Sequence, residues 1–307
     1  AGTHGKTTTS SISAHIIHNS GNGGVAFLGG IATNYNSNIL LSKGNLAVVE
    51  ADEYDRSFLE LKPNTIVLTS MDADHLDIYK KRVNVEESFL EFADLITDKK
   101  KLIIEENLQD YFSQSLTYGF SSDSDLQIIN LQIKSNSYYF DFKYKGKIHE
   151  GFTFKLPGKH NLLNAAGAVL SCLINGISLN EVKDGLASFN GVKRRFEIYI
   201  ESPKYIFIDD YAHHPKEIEV LINAIREFYP DRKVKGIFQP HLFSRTRDFM
   251  QEFADSLSML DELFLLPIYP AREKPIDGVS ASILYEKINL DKKFLSKGGD
   301  DYFSQLY

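Results

Sequence analysis

The chain opens on Ala1-Gly2-Thr3-His4-Gly5-Lys6-Thr7-Thr8, and a turn of that composition has few structural uses. It is rich in glycine, ends in Gly-Lys-Thr and runs directly into Thr9-Ser10-Ser11-Ile12, which can begin a helix. Such a loop turns its backbone N–H groups around phosphate oxygens, and the positive end of the helix dipole adds to the attraction. In this arrangement Lys6 reaches the β- and γ-phosphates and the Thr7 hydroxyl ligates Mg²⁺. The full pattern has an earlier glycine and a strand leading into the loop, and both would fall ahead of Ala1. At least a preceding strand, and up to a whole preceding domain, is therefore expected. The competing use is a glycine turn that caps a surface helix.

The 307 residues are enough for two domains at ~150 each. At 43% hydrophobic the chain can build cores. Its formal charge is −7 and it carries no long basic run, which argues against a general nucleic-acid binder. Net acidity does not oppose ATP binding, because loop and metal neutralise the phosphates locally. The single cysteine, Cys172, excludes an intramolecular disulfide and a multi-cysteine zinc site; it reads as a small buried hydrophobe. There is no signal peptide and no apolar run of ~18 residues, so no membrane insertion is expected and a cytoplasmic location is. Oligomeric state leaves no signature.

Along the chain, residues 8–19 read as the helix after the loop. A short strand follows at 25–28, closed by Gly29-Gly30, and then an Asn/Ser-rich loop at 33–38. Leu46-Ala47-Val48-Val49 has the pattern of a strand buried on both faces of a parallel sheet. It runs into Glu50-Ala51-Asp52-Glu53-Tyr54-Asp55-Arg56, and the strand at 65–69 runs into Asp72-Ala73-Asp74-His75-Leu76-Asp77. The C-terminal ends of consecutive strands are where an α/β sheet places its site. A helix is expected over 84–98, a strand at 102–104, an antiparallel insertion over about 125–156, and helices over 162–175 and 178–187. The composition changes near 191–197. We place the boundary there, with a first domain over 1–195 and a second over 196–307. The second repeats the α/β alternation, with strands at 205–208, 234–238 and 263–267. The expected fold is α/β throughout.

Each cluster has a chemical and a plain reading. Thr7, Glu50 and His75, on successive loops, suit a Mg²⁺ shell, although histidine is an unusual ligand for that ion. Otherwise Glu50, Asp52, Glu53 and Asp55 form a solvated acidic loop and His75 bonds backbone. Asn161 and Asn164 share a helix face and suit an adenine edge, or else one caps the helix. Arg194 and Arg195 suit a γ-phosphate, or else form a surface salt bridge. Tyr211, His213, His241 and Arg245 lie on two strand-end loops and suit a small carboxylate.

Taken in order, these motifs resemble the Mur ligase family, and within it the alanine-adding members. The matching stretches begin with Gly2-Thr3-His4-Gly5-Lys6-Thr7-Thr8-Thr9, Glu50-Ala51-Asp52-Glu53-Tyr54-Asp55-Arg56-Ser57-Phe58 and Asp74-His75-Leu76-Asp77. They continue with Pro157-Gly158-Lys159-His160-Asn161-Leu162-Leu163-Asn164-Ala165, Arg194-Arg195-Phe196-Glu197, Asp209-Asp210-Tyr211-Ala212-His213-His214-Pro215, and Gln239-Pro240-His241 with Ser244-Arg245-Thr246. The resemblance implies a P-loop central ATPase domain, mostly parallel with a small antiparallel insertion, then a Rossmann-like C-terminal α/β domain. It also implies an N-terminal UDP-binding domain that this chain does not include.

The implied reaction joins L-alanine to the lactyl carboxylate of UDP-N-acetylmuramate through an acyl phosphate, using ATP and Mg²⁺. By the same resemblance Gly2, Thr3, His4, Gly5, Lys6, Thr7, Thr8, Asn161, Asn164, Arg195 and Asp210 bind ATP. Thr7, Glu50 and His75 hold the metal. Lys6, Glu50, His75 and Arg195 serve the chemistry, and Tyr211, His213, His241 and Arg245 bind amino acid and product.

Three departures stand out. Leu242 occupies a position where many members have arginine. Phe89-Leu90-Glu91 stands where other Mur ligases place a carbamylated lysine. Lys297-Gly298-Gly299-Asp300 is at best a remnant of the family's C-terminal Gly-Ala-Gly-Asp. The competing readings are a recycling ligase that adds a tripeptide to the same nucleotide, a folate polyglutamate ligase, a P-loop kinase, and an ATP-binding module inactive without its N-terminal domain.

Overall fold

The computed structural model describes residues 1–72 and 82–296. Contacts divide the chain into two compact units, Ala1–Asp209 and a second beginning at Asp210.

In the first unit the glycine loop leads into α1 (Lys6–Asn19), which is buried from Thr7 to Ile17 although most of its residues are polar. Small Ser and Thr side chains make this possible, because several return their hydroxyl protons to the helix's own carbonyls. Ser10 donates to Thr7 O at 3.2 Å and Ser13 to Thr9 O at 2.9 Å. Next come β1 (Gly24–Ala32), β2 (Ser37–Leu41) and β3 (Leu46–Val49), in the order β2-β1-β3. β1 pairs antiparallel with β2 and parallel with β3.

Two features here differ from expectation. β1 does not end at Gly29-Gly30 but runs through them, since both glycines answer close approaches. The Gly29 N–H donates to the Glu50 carboxylate at 2.6 Å, and a Cβ on Gly30 would lie 2.8 Å from both Thr7 and Val192. β3 is not buried on both faces. It is the end strand of its three-stranded sheet, and Val49 is 46% exposed, beside Phe27 at 48%.

A 3-10 turn over Tyr54–Glu60 precedes β4 (Ile66–Leu68) and α2 (Arg82–Asp94). Then follow β5 (Leu102–Glu105), β6 (Leu116–Gly119), β7 (Leu126–Lys134), β8 (Ser137–Tyr144) and β9 (Lys147–Phe154). They form one sheet in the order β4-β5-β6-β7-β8-β9, parallel up to β7 and antiparallel beyond. The antiparallel insertion thus extends the main sheet at its edge. Between β3 and β4, which do not pair, lies a cavity of about 340 Å³ floored by Thr9, Ser13 and Ile17 of α1. Ala1 stands at its rim, donating from its amino group to Val67 O at 2.8 Å and accepting from Thr69 N at 3.1 Å.

Helices α3 (Lys159–Ile174) and α4 (Leu179–Ser188) pack on α1, and a Ser178/Glu181 capping box starts α4. Cys172 of α3 is a free, buried thiol, and burial pushes its pKa up to about 12. The β10 (Glu197–Glu201) and β11 (Ile206–Asp209) hairpin closes this unit.

In the second unit, α5 (Pro215–Phe228) has Pro215 in its first turn and His214 as its N-cap. β12 (Lys235–Phe238), α6 (Phe243–Asp248), α7 (Met250–Leu257), β13 (Glu262–Leu265), α8 (Ala281–Lys287) and β14 (Lys293–Leu295) follow. The strands are parallel in the order β12-β13-β14. Leu263 and Leu265 of β13 pack with Ile222, Phe253 and Leu284 from the helices. Among the described residues no helix is long and apolar enough to cross a membrane.

Phe58 is 1% exposed, stacks on Phe92 at 4.6 Å and meets Phe89 edge-on at 5.6 Å. Phe58→Ala should cost about 3–5 kcal/mol, read by chemical denaturation. His15 is 4% exposed, with Nδ1 2.8 Å from the Tyr35 hydroxyl and Nε2 3.0 Å from the Ser188 hydroxyl. Burial, then the nearby His18, lowers its pKa from 6.5 to about 4. Between those values the unfolded chain binds a proton that the folded chain refuses, so stability rises with pH from about 4 to 6.5 and is lost on acidification through that window. His15→Gln should flatten the unfolding free energy against pH there, by at most about 1.4 kcal/mol per pH unit, read by chemical denaturation.

Candidate functional site

The glycine loop lies against the segment that follows β4. The Thr3 hydroxyl donates to Asp72 O and the His4 N–H to the Ser70 hydroxyl, both at 2.8 Å. The exposed His4 ring lies 3.7 Å from the Asp72 carboxylate. Gly5 takes a left-handed conformation, φ 83°, as the N-cap of α1. Lys6 curls back over the loop and donates to Gly2 O at 2.9 Å and to the Glu53 carboxylate at 2.8 Å. The Thr7 hydroxyl donates to Glu50 Oε1 at 2.7 Å, and the Ser10 hydroxyl reaches Glu50 Oε2 at 3.3 Å. Thr8 is buried in the same turn.

Two further elements reach this loop. Arg195 donates from Nη2 to the Thr7 hydroxyl at 3.4 Å. Arg194 turns away, with its backbone N–H on Glu197 at 2.8 Å and its guanidinium 3.9 Å from Asp209. Asn161 and Asn164 are buried in the first turns of α3, but Gly158, not an asparagine, is the N-cap. Asn161 donates to Pro157 O at 2.7 Å and accepts from Asn164 at 3.4 Å, while Asn164 Oδ1 accepts from the Thr9 hydroxyl at 3.4 Å. His160 lies on the same turn of α3 and is exposed.

In this way Lys6, Thr7, Glu50, Arg195 and Asn164 come together from four separated stretches of sequence. His75 lies outside the described residues, as do Asp74 and Asp77. Sequence reasoning left Glu53 among four candidate acids of one loop; the structure singles it out at 1% exposed. Nothing local distinguishes it from Asp52 and Asp55. Ser10 and His160 were missed, and no sequence signal separates them from their neighbours. Among the described residues no three His, Cys, Asp or Glu side chains gather as a metal cage. A hydroxyl and one carboxylate at 2.7 Å nonetheless fit Mg²⁺, which needs few protein ligands and keeps waters and phosphates.

In the second unit, Asp210 accepts from Ala212 N at 2.8 Å. Tyr211 and His213 pack edge-on at 5.1 Å, and His213 Nδ1 lies 2.8 Å from Tyr211 O and 3.5 Å from Glu217. His241 stacks on Tyr269 at 5.5 Å. Burial, then the charges of Arg245 and His213, hold its imidazole below the usual range, so these three side chains share one locality. Leu242 has φ 74°, a conformation rare for a branched residue, as the N-cap of α6. Glu273, absent from the sequence reading, accepts from the Ser244 N–H at 2.9 Å and from its hydroxyl, fixing the turn that carries Arg245.

Comparison with known proteins agrees with this architecture. The pattern of the Mur ligase middle domain matches residues 1–172, and that of the Mur ligase glutamate ligase domain matches residues 194–302. A UDP-N-acetylmuramate–L-alanine ligase of Flavobacterium psychrophilum is 50% identical over 298 residues, covering 97% of this chain and 66% of that protein. The chain thus spans about two thirds of the length of that relative. The crystal structure of the UDP-N-acetylmuramate-alanine ligase MurC from Thermotoga maritima superposes with a TM-score of 0.76 at 25% identity, covering 99% of this chain and 73% of that one. MurF ligase from the same organism, solved in complex with ADP, shares the fold at a TM-score of 0.72 and 20% identity, over 99% and 71% of the two chains. The two domain patterns together span most of the chain, and the chain belongs to the Mur ligase family.

Proposed function

We propose that this chain carries the ATP-binding and amino-acid-binding parts of an enzyme that joins L-alanine to the lactyl carboxylate of UDP-N-acetylmuramate. The relative named for that reaction, at 50% identity, supports the choice of substrates. The geometry that carries the reading is the meeting of Lys6, Thr7 and Arg195 at the start of α1, with Glu50 2.7 Å from the Thr7 hydroxyl.

A carboxylate is a poor acylating agent until one oxygen carries a phosphoryl group as a mixed anhydride. Transfer of that phosphoryl group needs positioning and charge stabilisation more than covalent help from the protein. In this reading the loop N–H groups and Lys6 hold the ATP phosphates, and Arg195 meets charge that builds on the γ-phosphoryl oxygens. Thr7 and Glu50, with His75, would hold Mg²⁺, which supplies charge neutralisation between the phosphates. The buried Asn161 and Asn164 edge would face the adenine. The lactyl carboxylate then attacks the γ-phosphorus and ADP leaves. The alanine amine attacks the acyl carbon of the mixed anhydride, a tetrahedral intermediate forms, and phosphate departs. Tyr211, His213, His241 and Arg245 would hold the alanine carboxylate and the product. Lowering the His241 pKa keeps that imidazole neutral at pH 7, so the fixed positive charge there is that of Arg245. The absence of a transmembrane helix among the described residues agrees with action on a water-soluble nucleotide sugar, and we place the enzyme in the cytoplasm.

Phosphate release from ATP and Mg²⁺ by the chain joined to an N-terminal UDP-binding domain tests this, with UDP-N-acetylmuramate and each of L-alanine, glycine, L-serine and an L-alanine-led tripeptide. Release should require both the nucleotide sugar and L-alanine, and Lys6→Ala should lower kcat by about 10²–10³-fold. Release with the tripeptide alone would assign the recycling reaction instead. Arg245→Lys should raise KM for L-alanine on the order of tenfold while leaving KM for ATP unchanged, because lysine cannot reproduce a bidentate clamp.

A further inference from the structure

Two carboxylates of the segment after β3 reach the phosphate loop, and they have different tasks. Glu50 accepts from Thr7, from Ser10 and from the Gly29 N–H. Glu53 faces Lys6. The Lys6 ammonium has three protons. It points them at the Glu53 carboxylate at 2.8 Å, Gly2 O at 2.9 Å and Thr3 O at 3.5 Å. The side chains are 15% and 2% exposed, so little water screens this pair. Nor can Glu53 readily swing away. It immediately precedes the 3-10 turn, and Phe58 of that turn is locked between Phe89 and Phe92.

An ammonium held in this way is not a free positive charge awaiting an anion. A phosphate entering the loop must draw Lys6 off a buried carboxylate, and disrupting a buried pair costs far more than disrupting an exposed one. We propose that Glu53 is a positioning residue that competes with the nucleotide for Lys6. It lowers nucleotide affinity and speeds release of ADP, because it takes Lys6 back as the phosphates leave. This rests on the nucleotide reading of the loop given above.

The test is calorimetric titration of ADP and of ATP, with Mg²⁺, into the protein and its Glu53→Gln variant, with ADP dissociation followed by stopped flow. Glutamine keeps the shape and removes the competing charge. ADP should bind about tenfold tighter to Glu53→Gln and leave correspondingly more slowly. Unchanged or weaker binding would overturn the proposal, since a carboxylate that merely shapes the loop can only lose affinity when altered.

In a Lys6→Ala background the gain from Glu53→Gln should vanish. A gain that persisted there would mean that Glu53 repels the phosphates directly, and would also overturn it. If Glu53→Gln does not fold, Glu53→Asp takes its place. Its shorter arm loosens the pair, so a smaller tightening is expected, and unchanged or weaker binding counts against the proposal. Failure of the unaltered protein to bind either nucleotide would remove the nucleotide reading and this one together. Normal binding with no gain in the variant removes this one alone.

Discussion

Lys6 and Thr7 are each held by a carboxylate from one short segment, and much of the first unit is arranged to make that possible. Glu50 and Glu53 must both face the start of α1, which requires β3 to end where it does and the chain to turn at once into a 3-10 helix. The strand beside them must let a carboxylate lie against its backbone, and Gly29 does so by having no side chain. The helix they brace must be slim enough to sit under the sheet, and its Ser and Thr residues make it slim, with Ser10 and Ser13 returning their hydroxyl protons to its own carbonyls. The aromatic cluster around Phe58 then anchors the far end of the acidic segment. Charge pairing at the loop and apolar packing behind it are therefore two ends of one construction.

This explains which parts could be read from the sequence. The loop, the α/β alternation, the antiparallel insertion and the second unit's β12 and β13 follow from local signals: glycine spacing, apolar runs and period-two alternation. What escaped depends on distant neighbours. Gly29-Gly30 looks like a strand ending because glycine usually is one. It continues the strand here because Glu50 and α1 press on it, and neither contact is visible locally. β2 starts in the Asn/Ser-rich stretch that reads as a loop, and its apolar residues, Ile39-Leu40-Leu41, are too few to announce a strand. Leu46-Ala47-Val48-Val49 has the composition of an interior strand, yet it borders the cavity beside β4. Composition cannot tell an interior strand from one at a sheet's border.

The candidate site divides along the same line. Residues carried by a motif, such as Lys6, Thr7, Glu50 and Arg195, were reached through those motifs and the family resemblance, and stand together in the first unit. Residues that act on those residues, Glu53 on Lys6 and Glu273 on the turn before Arg245, were not singled out. An acidic side chain that anchors a neighbour carries the same letter as one that is merely solvated. The second unit repeats the lesson: His241 and Arg245 were legible from one strand-end loop, whereas the carboxylate that fixes the loop's geometry lies 29 residues from Ser244.

The contact between Gly5 and Asn164 has a consequence for how such a chain can vary. A Cβ at position 5 would sit 2.2 Å from the Asn164 side-chain oxygen, and the backbone there is left-handed as well. Neither obstacle can be removed alone. Shortening Asn164 would clear the space but leave the strained backbone, while relaxing the backbone would still drive the new side chain into the asparagine. The loop glycine and the helix asparagine, 159 positions apart, therefore form a two-part lock, and a viable route of change through either must pass through both. Selection for a variant phosphate loop, in nature or in the laboratory, would have to alter α3 in the same step.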